Sequence, residues 1–278
     1  MDLSKLLIDD AAFDELAARL SDFEEGRSSH WRHEQNLFKF EQQSFSGVGP
    51  MGTFSRSTGV VPTVAHFVFQ TWFRIFGRRY KHFSSIDKIA KNIASRQSRQ
   101  YDLDLLRHTL TLAFLRKHLD LEGEGYPICV IGDGYANMSS VILGSLPNSK
   151  VIVVNLAKSL MVDLICLRKA FPGEKFALVG TKEELDLALA EPDIRIILVG
   201  ANDPHTLNNV SLSLAINIES MMEMDSHITK QYFDILRSRS EGDLPFYCCN
   251  LENKKFSGTG TSNFYDYPWQ ENDKNFGS

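Results

Sequence analysis

The chain has 278 residues, 43% of them hydrophobic and 23% charged, a balance that supports a sizeable folded core and argues against intrinsic disorder. A formal net charge of −5 argues against a dedicated nucleic-acid binder, and no uninterrupted apolar run is long enough to cross a bilayer. The length allows one large domain, or a core domain with a substantial extension.

The first segment, MDLSKLLIDDAAFDELAARL, reads as an acidic amphipathic helix with Leu6, Phe13, Leu16 and Leu20 broadly on one side. It lacks the basic start and apolar core of a secretion signal, so a cytoplasmic location is expected. A connector rich in Gly and Ser follows over 45–62, then the aromatic stretch HFVFQTWFRIFGRRY and the helical YDLDLLRHTLTLAFLRKHL, where Leu105, Leu112, Leu115 and Leu119 form a stripe. Between Arg74 and Arg107 nine bases stand against three acids. That excess reads either as a solvated helical face or as a basic wall toward a phosphorylated substrate.

From residue 127 short apolar runs alternate with helical spacing: PICVIG, YANMSSVILGSL, KVIVVNL, AKSLMVDLICLRKAF, KFALVG, TKEELDLALAEP, IRIILVG, VSLSLAINI and LPFYCCNL. Strands apolar along their whole length suit a parallel sheet covered on both faces. The fold expected is therefore α/β, a doubly wound and mostly parallel Rossmann-like sheet with an N-terminal helical extension. Residues 1–124 would form the extension and 125–278 the core, with ligands at the carboxyl ends of the strands. Cys129 falls in a strand and Cys166 in a helix. Cys248 and Cys249 are strand neighbours facing opposite ways, so the four read as reduced thiols.

The turn that ends the first strand, Gly132-Asp133-Gly134-Tyr135-Ala136-Asn137, carries two of the three small residues of a dinucleotide fingerprint. Asn137 stands at the third position, which places a nicotinamide-dependent oxidoreductase last among the readings. S-adenosyl-L-methionine has no pyrophosphate and needs only a backbone that can come close, which Gly132 and Gly134 permit. An ordinary tight turn is the plain alternative. About twenty residues on, VIVVNL ends in Asn155, where ribose-binding folds place a hydroxyl-binding side chain, here an amide in place of the usual acid. In NIESMMEMDSHITKQYFDILRSR, Ser220 and Glu223 have capping-box spacing at a helix start, and Met221, Met224, Ile228, Tyr232 and Ile235 recur at helical intervals.

Through IGDGYANMSSVIL, VVNLAKSLMVDLICLRKAF, AINIESMMEMD, YFDILRS, FYCCNLENKK and YDYPW, the chain resembles the sugar O-methyltransferases of bacterial surface-polysaccharide clusters, on the class I methyltransferase fold. The likeness spans most of 125–270, and N-x-x-S-M-x-E-M is its most specific part. It implies S-adenosyl-L-methionine held by Gly132, Asp133, Gly134 and Tyr135, with the ribose near Asn155 and Leu156. Two departures stand out: Asn155-Leu156-Ala157 where that family more often has Asp-Leu-Pro, and Asn250-Leu251 where it has Asn-Arg.

A metal-independent methyl transfer to a sugar hydroxyl then needs alignment and a general base. The candidates near strand ends are His205, Glu223 and Asp203, with Asn217 and Ser220 as hydrogen-bonding neighbours of the acceptor and Asn202 on the cofactor side. Counting strands forward puts Asn202 and Asp203 at the reactive rim, whereas the family likeness puts Asn217 and Glu223 there. The acceptor expected is a sugar or glycan, phosphorylated or not, with no nucleic-acid partner and no membrane span; self-association is left open. Another small hydroxylated acceptor, or a catalytically silent binding module on the same fold, are the competing readings.

Overall fold

The computed structural model describes residues 39–41, 44–46, 60–121, 127–202, 204–238, 243–255 and 261–273. The expected helix over the first twenty residues, most of the glycine-rich connector and Asp203 lie outside them. The described chain opens with a small antiparallel pair, β1 (Lys39–Glu41) and β2 (Ser44–Ser46), which the sequence reading did not anticipate. Three helices follow: α1 (Val60–Gly77), α2 (Phe83–Arg96) and α3 (Leu103–His118).

The alternating part then runs β3 (Ile128–Ile131), α4 (Asn137–Ser145), β4 (Val151–Asn155), α5 (Ala157–Ala170), β5 (Lys175–Val179), α6 (Lys182–Ala190), β6 (Ile194–Gly200), β7 (Leu214–Ile218), α7 (Ser226–Arg237) and β8 (Phe246–Cys249). These six strands form one sheet in the order β5-β6-β4-β3-β7-β8, and every pairing is parallel. All residues of β3, β4 and β7 are buried, as a sheet covered on both faces requires. Ile128 and Val130 face a core shared with α2, α3, α4 and α5, while Cys129 and Ile131 face one shared with α6 and α7. A hairpin of β9 (Asn253–Lys255) and β10 (Thr261–Asn263) follows the sheet. The chain is thus a doubly wound α/β protein whose switch point lies at β3, between β4 and β7.

Helices α2 and α3 do not stand apart from the sheet. Ile86, Leu105 and Leu112 are fully buried in the same cluster as Val130, Val153 and Ile216. The bases after Arg74 divide between internal pairs and an exposed set, Arg78, Arg79, Lys81 and Lys88. Arg74 and Lys91 pair with Asp87, Arg96 donates to the Ala170 carbonyl at 2.8 Å, and Arg107 pairs with Asp104 and Glu219. A continuous basic wall is therefore not what those residues build. All four cysteines are free, and burial pushes the Cys129, Cys166 and Cys248 thiols up to about 12. None of the described helices is long and apolar enough to cross a membrane.

The last sequence-based helix is shorter than the spacing suggested. A 3₁₀ turn occupies Met221–Glu223, and α7 begins only at Ser226 with Asp225 at its N-cap. Ser220 makes no capping bond because its hydroxyl is used elsewhere, as described below. Removing a side chain from the shared core, Ile86→Ala, should cost about 2–5 kcal/mol, the usual range for a large-to-Ala change. If helices and sheet unfold as one unit, tryptophan fluorescence and far-UV circular dichroism will report the same urea midpoint.

Candidate active site at the β3–β7 switch point

Backbone strain gathers where β3 and β7 end. Of the six positive-φ residues described, Gly132 (73°), Gly134 (80°), Ala136 (51°) and Glu219 (58°) lie there. Two carry side chains, and such conformers persist only where surrounding contacts hold them. Asp163, fully buried on α5, holds Ala136 by accepting from its N–H at 2.7 Å. Glu219 donates its N–H to the Cys249 carbonyl at 2.8 Å, and its carboxylate pairs with Arg107.

Gly132 is required by contact as well as by φ. A Cβ there would lie 2.1 Å from Ser220 Oγ and 2.4 Å from Ser220 Cβ. Ser220 donates to the Ile131 carbonyl at 3.0 Å and accepts from Asn217 Nδ2. Asn217 also donates to Ile131 at 3.0 Å, while its carbonyl accepts from Met221 N at 3.2 Å and Asn250 Nδ2 at 2.9 Å. Both amide hydrogens and both lone pairs of Asn217 are therefore used inside the protein. Its place in the site is that of a stitch joining the ends of β3, β7 and β8.

Asp133 is similarly occupied. Its two oxygens accept from Met138 N at 2.9 Å and Ser139 N at 2.8 Å, capping α4. A carboxylate thus fills the position where a dinucleotide fold places its pyrophosphate. Asn137, 1% exposed, takes the third fingerprint position and is bonded inside the protein. Its Nδ2 donates to Asp104 at 2.6 Å, and its Oδ1 accepts from Arg99. Tyr135 is buried beside this turn, which pushes its phenol well above the ordinary value.

On the other side of β3, Gly132 N donates to Val154 O at 2.8 Å, tying the turn to β4. Asn155 donates to Asp163 Oδ2 at 2.8 Å and accepts from Leu156 N at 2.9 Å. Its side chain retains acceptor capacity but no bond direction committed to a ligand. Burial, then the nearby Asp133 carboxylate, push the Asp163 carboxyl well above its ordinary range. Asn202 is exposed beyond β6, where Ala201 N donates to Asn155 O at 2.8 Å.

The strand order decides which candidates lie beside the glycine turn. β7 pairs directly with β3, so Asn217, Ser220 and the turn bearing Glu223 adjoin the glycine turn. Glu223 pairs with Lys254 at 3.2 Å on the hairpin, its side chain 15% exposed. β6 is separated from β3 by β4, about 9–10 Å at ordinary strand spacing. His205 follows β6 in the 3₁₀ turn Pro204–Leu207, exposed and with Nδ1 3.4 Å from Asn208 Nδ2. The structure therefore places Ser220 against Gly132, Glu223 on the turn after β7 facing Lys254, and His205 on the turn after β6, two strands from β3.

Sequence reasoning passed over the helix that contacts the ends of β3 and β7. Asp104, Arg107 and His108 of α3 face the ends of β3 and β7 through Asn137 and Glu219. Their i, i+3, i+4 spacing in YDLDLLRHTL was the available signal, hidden within the leucine stripe. Burial pushes the Asp104 carboxyl up, but His108, Arg107 and Asn137 outweigh it and hold it below the ordinary range. His108 is buried, with no hydrogen-bond partner for Nδ1 among the described residues. Its burial lowers the ring below the ordinary 6.5, against the pull of Asp104 and Asp133 and with that of Arg107 and Arg99. Among the described residues no group of three or more His, Cys, Asp or Glu is placed to hold a metal ion.

Comparison with known proteins adds little. No protein-family model and no curated protein sequence matches the chain. Among solved structures, the pyocyanin biosynthetic protein PhzM aligns at 13% identity with a TM-score of 0.29, covering 76% of this chain and 59% of PhzM. A mutant of MtNAS aligns at 10% identity with a TM-score of 0.31, covering 82% of this chain and 78% of that one. What the fold and site define on their own geometry is a doubly wound α/β protein with a strained glycine turn at its switch point.

Gly132→Ala should destabilise by at least about 1–2 kcal/mol, the cost of left-handed backbone for a residue with a Cβ. Gly132→Ala/Ser220→Gly should recover part of that loss, and calorimetric melts of both variants check it. A second expectation concerns pH. Because the folded His108 ring binds its proton more weakly, the unfolded chain is protonated first as pH falls through about 6.5. Stability should then drop on acidification below that point, and His108→Gln should remove this component. Urea midpoints for both proteins between pH 8 and 5 measure the difference.

Proposed function

We propose that this protein is an S-adenosyl-L-methionine-dependent O-methyltransferase acting on a sugar hydroxyl. The observation that carries the reading is the carboxylate of Asp133 seated on the N-terminus of α4. With that anion site filled from within, the turn suits a ligand that brings no pyrophosphate. S-adenosyl-L-methionine meets that condition, and the motif likeness through IGDGYANM and AINIESMMEMD points to the same cofactor. Gly132, Gly134 and Tyr135 would line its methionyl part, Asp133 would hold the turn, and Asn155 and Leu156 would lie near its ribose, with Asn202 further along the rim.

When bound, this cofactor supplies a sulfonium methyl already activated for transfer. The chain's task is then alignment of the acceptor and removal of its proton. Glu223, on the turn after β7, is the base this geometry favours over His205, which lies beyond β6, and over Asp203, which follows the same strand. Ser220 and Asn217 fix the turn that carries Glu223, and Lys254 holds its carboxylate in place. Covered by α3 and the turn after β7, a site beside the glycine turn would keep water from competing with the sugar hydroxyl. No metal is assigned a role.

A silent binding module is the second reading, favoured by one observation: the Asn155 amide is given to Asp163. Calorimetric titration with S-adenosyl-L-methionine and S-adenosylhomocysteine, on the native chain and on folded Gly134→Val, tests the cofactor. Binding that is lost in the variant is the expected result, and no binding to the native chain would overturn the proposal. In methyl-transfer assays over a sugar panel, Glu223→Gln should lower turnover by about 10²–10⁴-fold, the usual worth of a general base. Cofactor affinity should stay unchanged. Binding without turnover on any hydroxylated acceptor would leave the silent module as the answer.

A further inference from the structure

Helix α1 is built inside out. Two of its polar residues face the protein: Gln70, 2% exposed, donates to the Tyr101 carbonyl at 2.6 Å and accepts from Arg74 at 2.9 Å. Arg74 in turn pairs with Asp87 and lies 4.6 Å from the Tyr101 ring centroid. The opposite half of the helix carries Val64, Val68, Phe69, Trp72, Phe73, Ile75 and Phe76, between 46% and 77% exposed. At 100° per residue these positions fill an arc of about 180°. A contiguous apolar face of this kind, with three phenylalanines and a tryptophan, marks an interaction surface. Its C-terminal margin is basic, with Arg78, Arg79, Lys81 and Lys88 all exposed.

We propose that the occupant of this face is the chain's own N-terminal segment, residues 1–20, docked as an amphipathic helix. Three features match. The sequence places Leu6, Phe13, Leu16 and Leu20 on one side, a stripe about 21 Å long at helical rise, against about 18 Å from Val64 to Phe76. The charges are complementary: residues 1–25 hold eight acids and two bases, and the margin of the face carries the exposed bases Arg78, Arg79, Lys81 and Lys88. Residues 21–59 tether the two segments, long enough for them to meet and short enough to give a high effective concentration. This assignment is independent of the proposed catalytic activity.

The test is hydrogen–deuterium exchange across α1 in the full-length chain, with sedimentation velocity run on the same samples. A monomer whose α1 amides exchange at least about tenfold faster in Phe13→Asp/Leu16→Asp, with β3 and β7 unchanged, supports the docking. Arg78→Glu/Lys81→Glu, which leaves the apolar stripe intact, should accelerate the same amides and guards against a misfolded first variant. Unchanged α1 exchange in both variants would overturn the proposal. So would a dimer that Trp72→Asp dissociates and Phe13→Asp/Leu16→Asp does not, which assigns the face to a second copy. Co-sedimentation of the native chain with phosphatidylglycerol vesicles, abolished by Trp72→Asp, would also overturn it in favour of a lipid surface.

Discussion

The contact on which the site depends is the approach of Ser220 to Gly132. A hydroxyl-bearing side chain from the end of β7 sits where any other residue at 132 would place its Cβ. Asn217 fixes that approach by donating to the Ile131 carbonyl and to Ser220 together. The carboxyl ends of the two switch-point strands are thereby joined side chain to backbone. The glycine turn, the strained Glu219 and the turn that carries Glu223 all take their positions from this joint.

A second layer of restraint comes from buried acids. Asp133 caps α4 and Asp163 holds the N–H of Ala136, so two carboxylates shape the turn before any ligand arrives. Burial of Asp163 next to Asp133 costs solvation, and backbone and amide donors offset it. From above, α3 contributes Asp104 to Asn137 and Arg107 to Glu219. The helical part of the chain in this way contacts the ends of β3 and β7, and its core is continuous with that of the sheet.

Several sequence features changed meaning once their neighbours were known. Asn137 looked like a defect in a dinucleotide fingerprint; in place it is the anchor that docks α3 onto the glycine turn. Ser220 and Glu223 had the spacing of a capping box, but the Ser220 hydroxyl is drawn to Ile131 and α7 starts later, at Ser226. The bases after Arg74 read either as a solvated face or as a wall toward a phosphorylated substrate; in place several of them pair with Asp87, Asp104 and Glu219, while Arg78, Arg79, Lys81 and Lys88 stay exposed. Along the chain His205, whose imidazole titrates near neutral pH, is the first choice of base ahead of Glu223; across the sheet it lies farther from β3, because β4 intervenes between β6 and β3.

Local information was sufficient for the six strands of the sheet and the fold class, and not for the short pair β1–β2 or the start of α7. Apolar runs of strand length, helical spacing between them and the paired glycines are properties of neighbouring residues, and they specified a parallel α/β sheet with a turn at the end of β3. Partner choice was beyond that information. Which strand flanks β3, which acid meets Asn137 and Asn155, and which carboxylate is paired or free depend on residues 8 to 86 positions apart. Such contacts are set by strand order and by the need to satisfy every buried polar group. Tertiary structure alone decided them, because only the folded chain brings those donors and acceptors within bonding distance.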